Sequence, residues 1–336
     1  MGRSTVYNKN LTSDEKWNKV LENNKVLFDE FIEYCKSSDR SKETIKVYIN
    51  GLKIYFCWNL ELNKNKFFID LTIKDIIKYQ NFLNDKDLSP SRIRLLKSSL
   101  SSLSNYIELV ESDTYKDFRN IINKVPAPAM VKVREKLILD SDQVYNILNL
   151  LIDNHMIQQA ACFALSAFSG SRKSELSRFR IIDFKEKNVK NGLYCSDNKI
   201  KTKGRGNRGK LLTKYTIKKE FKPYLDLWLK EREKLNISSE WLFVKNNQPV
   251  KLSTLNYWAE QISNITGINF YFHSMRHFFT TSLCKNNIPA EIIKTIIGWE
   301  NLEMINIYSD LKTEDQFGDY FSEDGIKYIE KKTSII

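Results

Sequence analysis

The chain has 336 residues and a mass of 39.6 kDa, long enough for two domains with separate cores, and its 42% hydrophobic content is ordinary for a folded protein in water. Fifty-three lysines and arginines against forty-one acids leave a net charge of +12, which suits a polyanionic partner, nucleic acid before membrane. Five scattered cysteines without a C-x-x-C pair read as reduced core thiols of a cytosolic protein. No apolar run reaches about eighteen residues and no signal peptide opens the chain, so neither a membrane span nor export is expected.

Residues 1–14 are polar and expected to be loose. Trp17, Val20, Leu21, Leu27, Phe28, Phe31, Ile32 and Cys35 then recur at helical spacing, and Ser41 is placed to cap a second helix carrying Ile45, Tyr48, Leu52, Tyr55 and Phe56. Thr72-x-x-Asp75 has the form of a capping box for a third helix, and Ser89-Pro90 supplies an N-cap and an N1 proline for a fourth that runs to Leu109. Four such helices make a bundle. The fourth opens with Arg92, Arg94 and Lys97, a face that reads either as solvated or as resting on phosphates. Pro126-Ala-Pro128, with Lys124, Lys132, Arg134 and Lys136, marks a basic extended linker that cannot be helical through its prolines.

Helix signals restart at Asp140 and run to Asp153. The next stretch, Met156 to Phe168, is apolar on every side and stops at Gly170. Arg172 follows, with Glu175 three residues on: a structural salt bridge, or a guanidinium oriented by a carboxylate to bind phosphate bidentately. Residues 191–214 alternate as Leu193-Tyr-Cys, Lys199 to Lys203 and Gly209 to Thr213, which predicts one small antiparallel sheet. From Lys199 through Lys219 there are nine basic residues and no acid, Lys201, Lys203, Arg205, Arg208 and Lys210 among them. A hairpin so charged belongs in a groove or along a backbone. Further helices are expected around Tyr224 to Trp228 and from about Ser253 to Ile265. His273, Arg276 and His277 then stand at i, i+3 and i+4, on one helical face. That face reads as a solvated surface, a zinc pair or an anion grip. Zinc is disfavoured because no glutamate follows His273 and Arg276 would repel a cation. The anion grip gains from the company of Arg172, the basic hairpin and Tyr308 downstream.

Taken together these boxes resemble the tyrosine recombinases, the integrase family of DNA strand-exchange enzymes, over roughly residues 25 to 312. Gly170-Ser-Arg172-Lys-Ser-Glu175-Leu176 matches the family's arginine box and His273 to His277 its H-x-x-R-H box. Gly298-Trp299 matches its G-H or G-W pair, Tyr308 its nucleophile nine residues on, and Leu88-Ser-Pro-Ser-Arg-Ile93 the start of its last core-binding helix. The resemblance implies a mainly α fold of two domains forming a clamp on DNA: a four-helix core-binding bundle over 15–114 and a mixed α/β catalytic domain with a small antiparallel sheet over 138–312. Residues 115–137 would link them.

It also implies Arg172, Arg276, His273, Trp299 and Tyr308 as catalytic, with Glu175 and His277 in support. The catalytic lysine is assigned to Lys203 over Lys201, because Arg205 occupies the usual lysine position and arginine almost never gives up its proton. Arg92, Arg94, Lys97, Lys132, Arg134, Lys201, Arg205, Arg208 and Lys210 are the expected DNA contacts. Residues 316–330, with Phe317, Tyr320, Phe321, Ile326, Tyr328 and Ile329, read as a short helix in a tail (313–336) that in relatives docks on the adjacent protomer. The implied partners are double-stranded DNA with paired sites, a homotetramer on that DNA from protomers monomeric or weakly associated when free, and an accessory excisionase. No membrane, metal or cofactor is implied, and the place of action is the cytoplasm, at the nucleoid. A type IB topoisomerase, a chromosome or plasmid dimer resolvase of Xer type, a catalytically silent DNA-binding relative and a zinc hydrolase are the alternatives.

Overall fold

The computed structural model describes residues 11–129, 137, 139–202 and 210–305, and the backbone of 321–322 and 325–326. The chain divides into two compact units, the first ending at Glu135 and the second beginning at Lys136. Helices dominate both.

In the first unit, α1 (Asp14–Lys19), α2 (Glu22–Ser37), α3 (Lys42–Leu62), α4 (Ile73–Asp85) and α5 (Pro90–Leu109) surround one core. The caps fall where the side chains call for them. Ser41 accepts from Thr44 N, Thr72 and Asp75 form a reciprocal capping box, and Ser89 caps α5 with Pro90 at its first position. The single opening helix expected through Trp17 and Cys35 is broken at Val20. Asn65 explains the break: its side chain accepts from Leu21 N at 3.1 Å and donates to Lys19 O at 3.2 Å, satisfying the two groups that a continuous helix would have paired. Leu52, Tyr55, Phe56 and Trp58 of α3 are buried against Leu27, Phe31, Tyr79 and Leu103.

Three expectations for this unit are corrected. Leu11, inside the supposedly loose start, is buried in the core; residues 1–10 lie outside the described part. The first half of the supposed linker is packed, with Ile122 and Val125 buried in the same core and Phe118 and Ile121 against it. Lys97, expected on phosphates, is buried: its Nζ donates to Val125 O at 2.5 Å and Gln80 Oε1 at 2.7 Å, and burial lowers its pKa. A lysine so enclosed ties α5 to α4 and to residue 125 instead of facing DNA. Of its neighbours, Arg94 is exposed with Nη2 on Pro128 O at 2.9 Å, and Arg92 is half-buried.

The second unit is built on α7 (Ile157–Ser169), whose residues from Ala160 onward are all buried, flanked by α6 (Ser141–Asp153), the short α8 (Lys173–Leu176), α9 (Lys218–Lys234), α10 (Leu252–Thr266) and α11 (His273–Lys285). A further helix, α12 (Ala290–Ile297), packs with Phe279, Leu283 and Trp299 into a smaller cluster.

The expected single sheet is two. β2 (Leu193–Cys195) pairs antiparallel with β1 (Val189–Lys190) and β5 (Tyr215–Ile217), while β3 (Ile200–Lys201) pairs separately with β4 (Leu211–Leu212). Between the ladders Ser196 N donates to Lys214 O at 2.9 Å and Lys214 N to Ser196 Oγ at 3.0 Å, and the buried Asp183 carboxylate takes Asp197 N at 2.9 Å. The polypeptide turns inward there, which interrupts the ladder. A third small hairpin, β6 (Val244–Lys245) with β7 (Gln248–Pro249), follows α9. In the tail, β8 (Phe321–Ser322) pairs antiparallel with β9 (Gly325–Ile326), so the described part of that segment is a strand ladder where a helix was expected. The Asp324-Gly325 pair, a hairpin signal, was outweighed in the sequence by the apolar spacing around it. Cys35, Cys57 and Cys162 are buried, Cys195 and Cys284 half-buried, and all five are free thiols.

Candidate phosphate-binding site

The C-terminus of α7 is where the site begins. Gly170 ends that helix at φ +58°, a left-handed conformation that a side chain disfavours, and a Cβ there would stand 2.6 Å from Phe279 Cδ1. The close approach lets Arg276, on α11, donate from Nη1 to the Gly170 carbonyl at 2.8 Å. Arg276 is wholly buried, with Nη2 on Ile297 O at 3.3 Å and its guanidinium carbon 5.5 Å from the centre of the Trp299 ring. It is a fixed positive charge in the floor of the site.

Arg172, two residues beyond the turn, is the accessible cation. Its side chain is 27% exposed, and Nη1 donates to Glu175 Oε1 at 3.1 Å while its backbone N–H donates to Oε2 at 2.9 Å. Glu175 is fully buried and carries a second cation, Lys214, whose Nζ lies 3.0 Å from Oε2. Burial by itself would raise the Glu175 carboxyl, but the charge of Lys214, the Arg172 N–H and the Arg172 guanidinium outweigh it and the net shift is downward. The carboxylate is ionised and sets the guanidinium plane.

Arg172 stands in the walls of two clefts. One, of about 330 Å³, is shared with Asn256, Tyr271, Phe272 and His273; the other, of about 280 Å³, with Thr202, Lys210, Trp299, Glu300 and Met304. His273 is the first residue of α11, exposed at its edge, and its ring stands at 85° to that of the buried His277 with centroids 5.6 Å apart. Desolvation by the surrounding protein, then the fields of His277, Arg276 and Arg172, push the His273 imidazole down to about 4. At neutral pH it is uncharged and able to accept a proton.

Trp299 is buried under the second cleft. Gly298, at φ +79°, ends α12, and a Cβ on it would stand 2.7 Å from Leu212 Cδ1, so the absence of a side chain lets Leu212 of β4 close on the end of that helix. The base of the basic hairpin is fixed here too: Thr202 N and Oγ1 both donate to Lys210 O, at 2.8 and 2.9 Å, and the Arg178 guanidinium donates to Lys201 O. Lys210 reaches Glu300 Oε1 at 3.7 Å at the cleft mouth.

The structure therefore brings together Arg172, Glu175, His273, Arg276, His277 and Trp299, with Lys201 and Lys210 at the hairpin base. Lys132, Arg134, Lys203, Arg205, Arg208 and Tyr308 lie outside the described residues. Sequence reading missed Lys214, whose position at the start of an alternating strand gives no hint of burial, and Thr202 and Arg178.

A half-buried guanidinium backed by a carboxylate, a buried second arginine and an uncharged imidazole beside them make a site for an anionic ester. By sequence the chain belongs to the phage integrase family, the tyrosine recombinases, enzymes that break and rejoin DNA strands: that family matches residues 138–315, and its N-terminal SAM-like domain matches residues 27–114. The SPbeta prophage-derived recombinase-like protein YomM of Bacillus subtilis (strain 168) is 30% identical over 300 residues, covering 85% of this chain and 86% of that protein. Tyrosine recombinase XerA of Pyrococcus horikoshii is 25% identical over 295 residues, 87% of this chain and 91% of its own length. In fold the chain is similar to XerH recombinase in a post-cleavage complex with palindromic difH substrate, with a TM-score of 0.63 at 17% identity over 89% of this chain and 94% of that one. It is also similar to the Tn1549 transposon integrase in complex with circular intermediate DNA, with a TM-score of 0.62 at 15% identity over 87% and 98%. Among the described residues no helix is long and apolar enough to cross a membrane.

Proposed function

We propose that this chain is a site-specific recombinase of the integrase or transposase type that cuts and rejoins DNA through a 3′-phosphotyrosyl intermediate, with neither metal nor ATP. Tyr308 attacks the scissile phosphorus and displaces the 5′ hydroxyl, and the new ester conserves the energy of the broken bond for religation to another strand. Arg172 and Arg276 neutralise the non-bridging oxygens as phosphorus becomes pentacoordinate, with Trp299 as a further donor. His273 takes the phenolic proton and Lys203 protonates the leaving oxygen. Lys201, Arg205, Arg208 and Lys210 of the hairpin, Lys132 and Arg134 of the linker, and Arg92 and Arg94 of the first unit hold the DNA backbone. The reacting assembly is a homotetramer on two duplex sites, acting at the nucleoid in the cytoplasm.

The observation that carries this reading is the Arg172 guanidinium, held by the buried Glu175 at 3.1 Å and open to two clefts, with an uncharged His273 on one side. The test is covalent trapping. A suicide duplex nicked near its cleavage site should yield a protein–DNA adduct that survives denaturation, in EDTA as in magnesium, and Tyr308→Phe should yield none. An adduct in the phenylalanine variant would move the nucleophile to Tyr320 or Tyr328, and no adduct from the unaltered protein would leave only a DNA-binding relative.

The second reading is a Xer-type dimer resolvase with the same chemistry, favoured by the 25% identity to XerA over most of both chains. The 30% identity to a prophage-derived protein weighs for a mobile element. Plasmids carrying one site each, or two direct sites together, distinguish joining from resolution.

A further inference from the structure

We propose that Lys214 is a positioning residue of the strand-cleavage reaction, the buried cation that locks the two site arginines to each other through Glu175 and the last carbonyl of α12. The proposal rests on the recombinase reading above and deepens it.

Lys214 is 1% exposed, on the inward turn between β4 and β5 where Ser196 holds its backbone at both N–H and C=O. A lysine is enclosed this completely only when its charge and its N–H donors have partners. Both partners lead to the site. Glu175 Oε2, at 3.0 Å, belongs to the carboxylate whose other oxygen holds Arg172. Ile297 O, at 3.3 Å, also accepts from Arg276 Nη2 at 3.3 Å. That carbonyl ends α12 just before Gly298 and Trp299, and a helix C-terminus favours positive charge. One ammonium thus touches the orienting partner of Arg172 and a carbonyl shared with Arg276, although α8 and α11 are distant in sequence.

The charges give the contact its consequence. Glu175 with Arg172 alone would be neutral, and the guanidinium would be held inward by an unshared buried carboxylate. Lys214 and Arg172 share the one carboxylate, and with Arg276 on the carbonyl that Lys214 also touches the cluster holds three cations and one anion, two positive charges in excess, the sign and size suited to the charge on a pentacoordinate phosphorus. Burial and the two arginines lower the Lys214 pKa while Glu175 raises it, so the lysine depends on that carboxylate to stay charged.

Lys214→Met keeps the bulk and removes the charge. The thermal midpoint should fall, because the buried Glu175 loses one of its two cations, whereas site binding should stay near that of the unaltered protein and the rate of adduct formation on the nicked duplex should fall on the order of 100-fold, as expected when a reacting group is misplaced by about 1 Å. On a duplex whose scissile phosphate is a neutral methylphosphonate the loss should shrink below about 10-fold, because gripping anionic oxygens no longer matters. An equal loss on both substrates, or none, overturns the proposal. If Lys214→Met does not fold, Lys214→Met/Glu175→Gln removes both buried charges together; it should fold and cleave within about 3-fold of Glu175→Gln alone, because Lys214 acts through that carboxylate. Multiplying losses, or a double variant that also fails to fold, equally overturn it. An unaltered protein that forms no adduct sinks the recombinase reading itself, and this proposal with it, whereas an adduct from an undiminished Lys214→Met sinks the proposal alone.

Discussion

Chemistry at His273 is set by its neighbours more than by its own exposure. Its imidazole is pushed down to about 4 by desolvation and by His277, Arg276 and Arg172, against about 6.5 for the unfolded chain. Because the folded value is the lower one, the unfolded state binds more protons between those limits. The contribution to stability is therefore full above about pH 6.5 and is lost as pH falls toward 4. In the free protein the His273 ring resonances should titrate near 4 and the urea midpoint should drop as pH falls below 6.5, a drop that His273→Asn removes. A ring titrating near 6.5 would show that the site does not disfavour the charged imidazole, and the pH dependence of stability assigned to it would vanish. Lys97 and Lys214 make the complementary point: each is a buried lysine, but one is used up on Gln80 and Val125 O inside the helical bundle, whereas the other is wired to two arginines.

Among the elements, the ends of helices build the site, and their glycines are not equivalent. Gly170 and Gly267 both cap helices with positive φ, +58° and +70°, but a Cβ at Gly170 would press on Phe279 at 2.6 Å, whereas at Gly267 it would meet open space. Gly267→Ala should cost about 1 kcal/mol, the backbone strain alone, and Gly170→Ala more, by about another 1–3 kcal/mol for overpacking. Urea unfolding monitored by tryptophan fluorescence gives both numbers. Equal costs would mean that Phe279 moves freely and that the α7 to α11 contact is not what fixes the Arg276 bond to Gly170 O.

For the whole molecule the governing quantity is charge. A net +12 over 336 residues, with nine cations and no acid between Lys199 and Lys219, predicts duplex binding dominated by phosphate contacts. Between 50 and 200 mM salt the affinity for a site-length duplex should fall by about 10³-fold or more, the range expected for some six or more neutralised phosphates. Filter binding or fluorescence anisotropy across that range reads the slope. A flat dependence would mean that the basic residues are matched by acids in the protein and that the DNA is held by other means.

The sequence by itself determined what depends on short spacings. The caps at Ser41, Thr72 and Ser89, the stop at Gly170, the pairing of Arg172 with Glu175 and the shared face of His273, Arg276 and His277 are all local, because helix geometry fixes neighbours three and four residues apart. Tertiary structure decided what depends on residues far apart in the chain. Asn65 breaks the first helix from more than forty residues away, Leu11 and Val125 join a core that their polar surroundings conceal, and Lys97 turns inward because Val125 O needs a donor. Lys214 is the clearest case. In the sequence it is one cation among nine in a basic stretch, and only the closure of β4 and β5 onto α8 and α12 buries it against Glu175 and Ile297. Burial and partnership are properties of packing, and no periodicity in the chain encodes them.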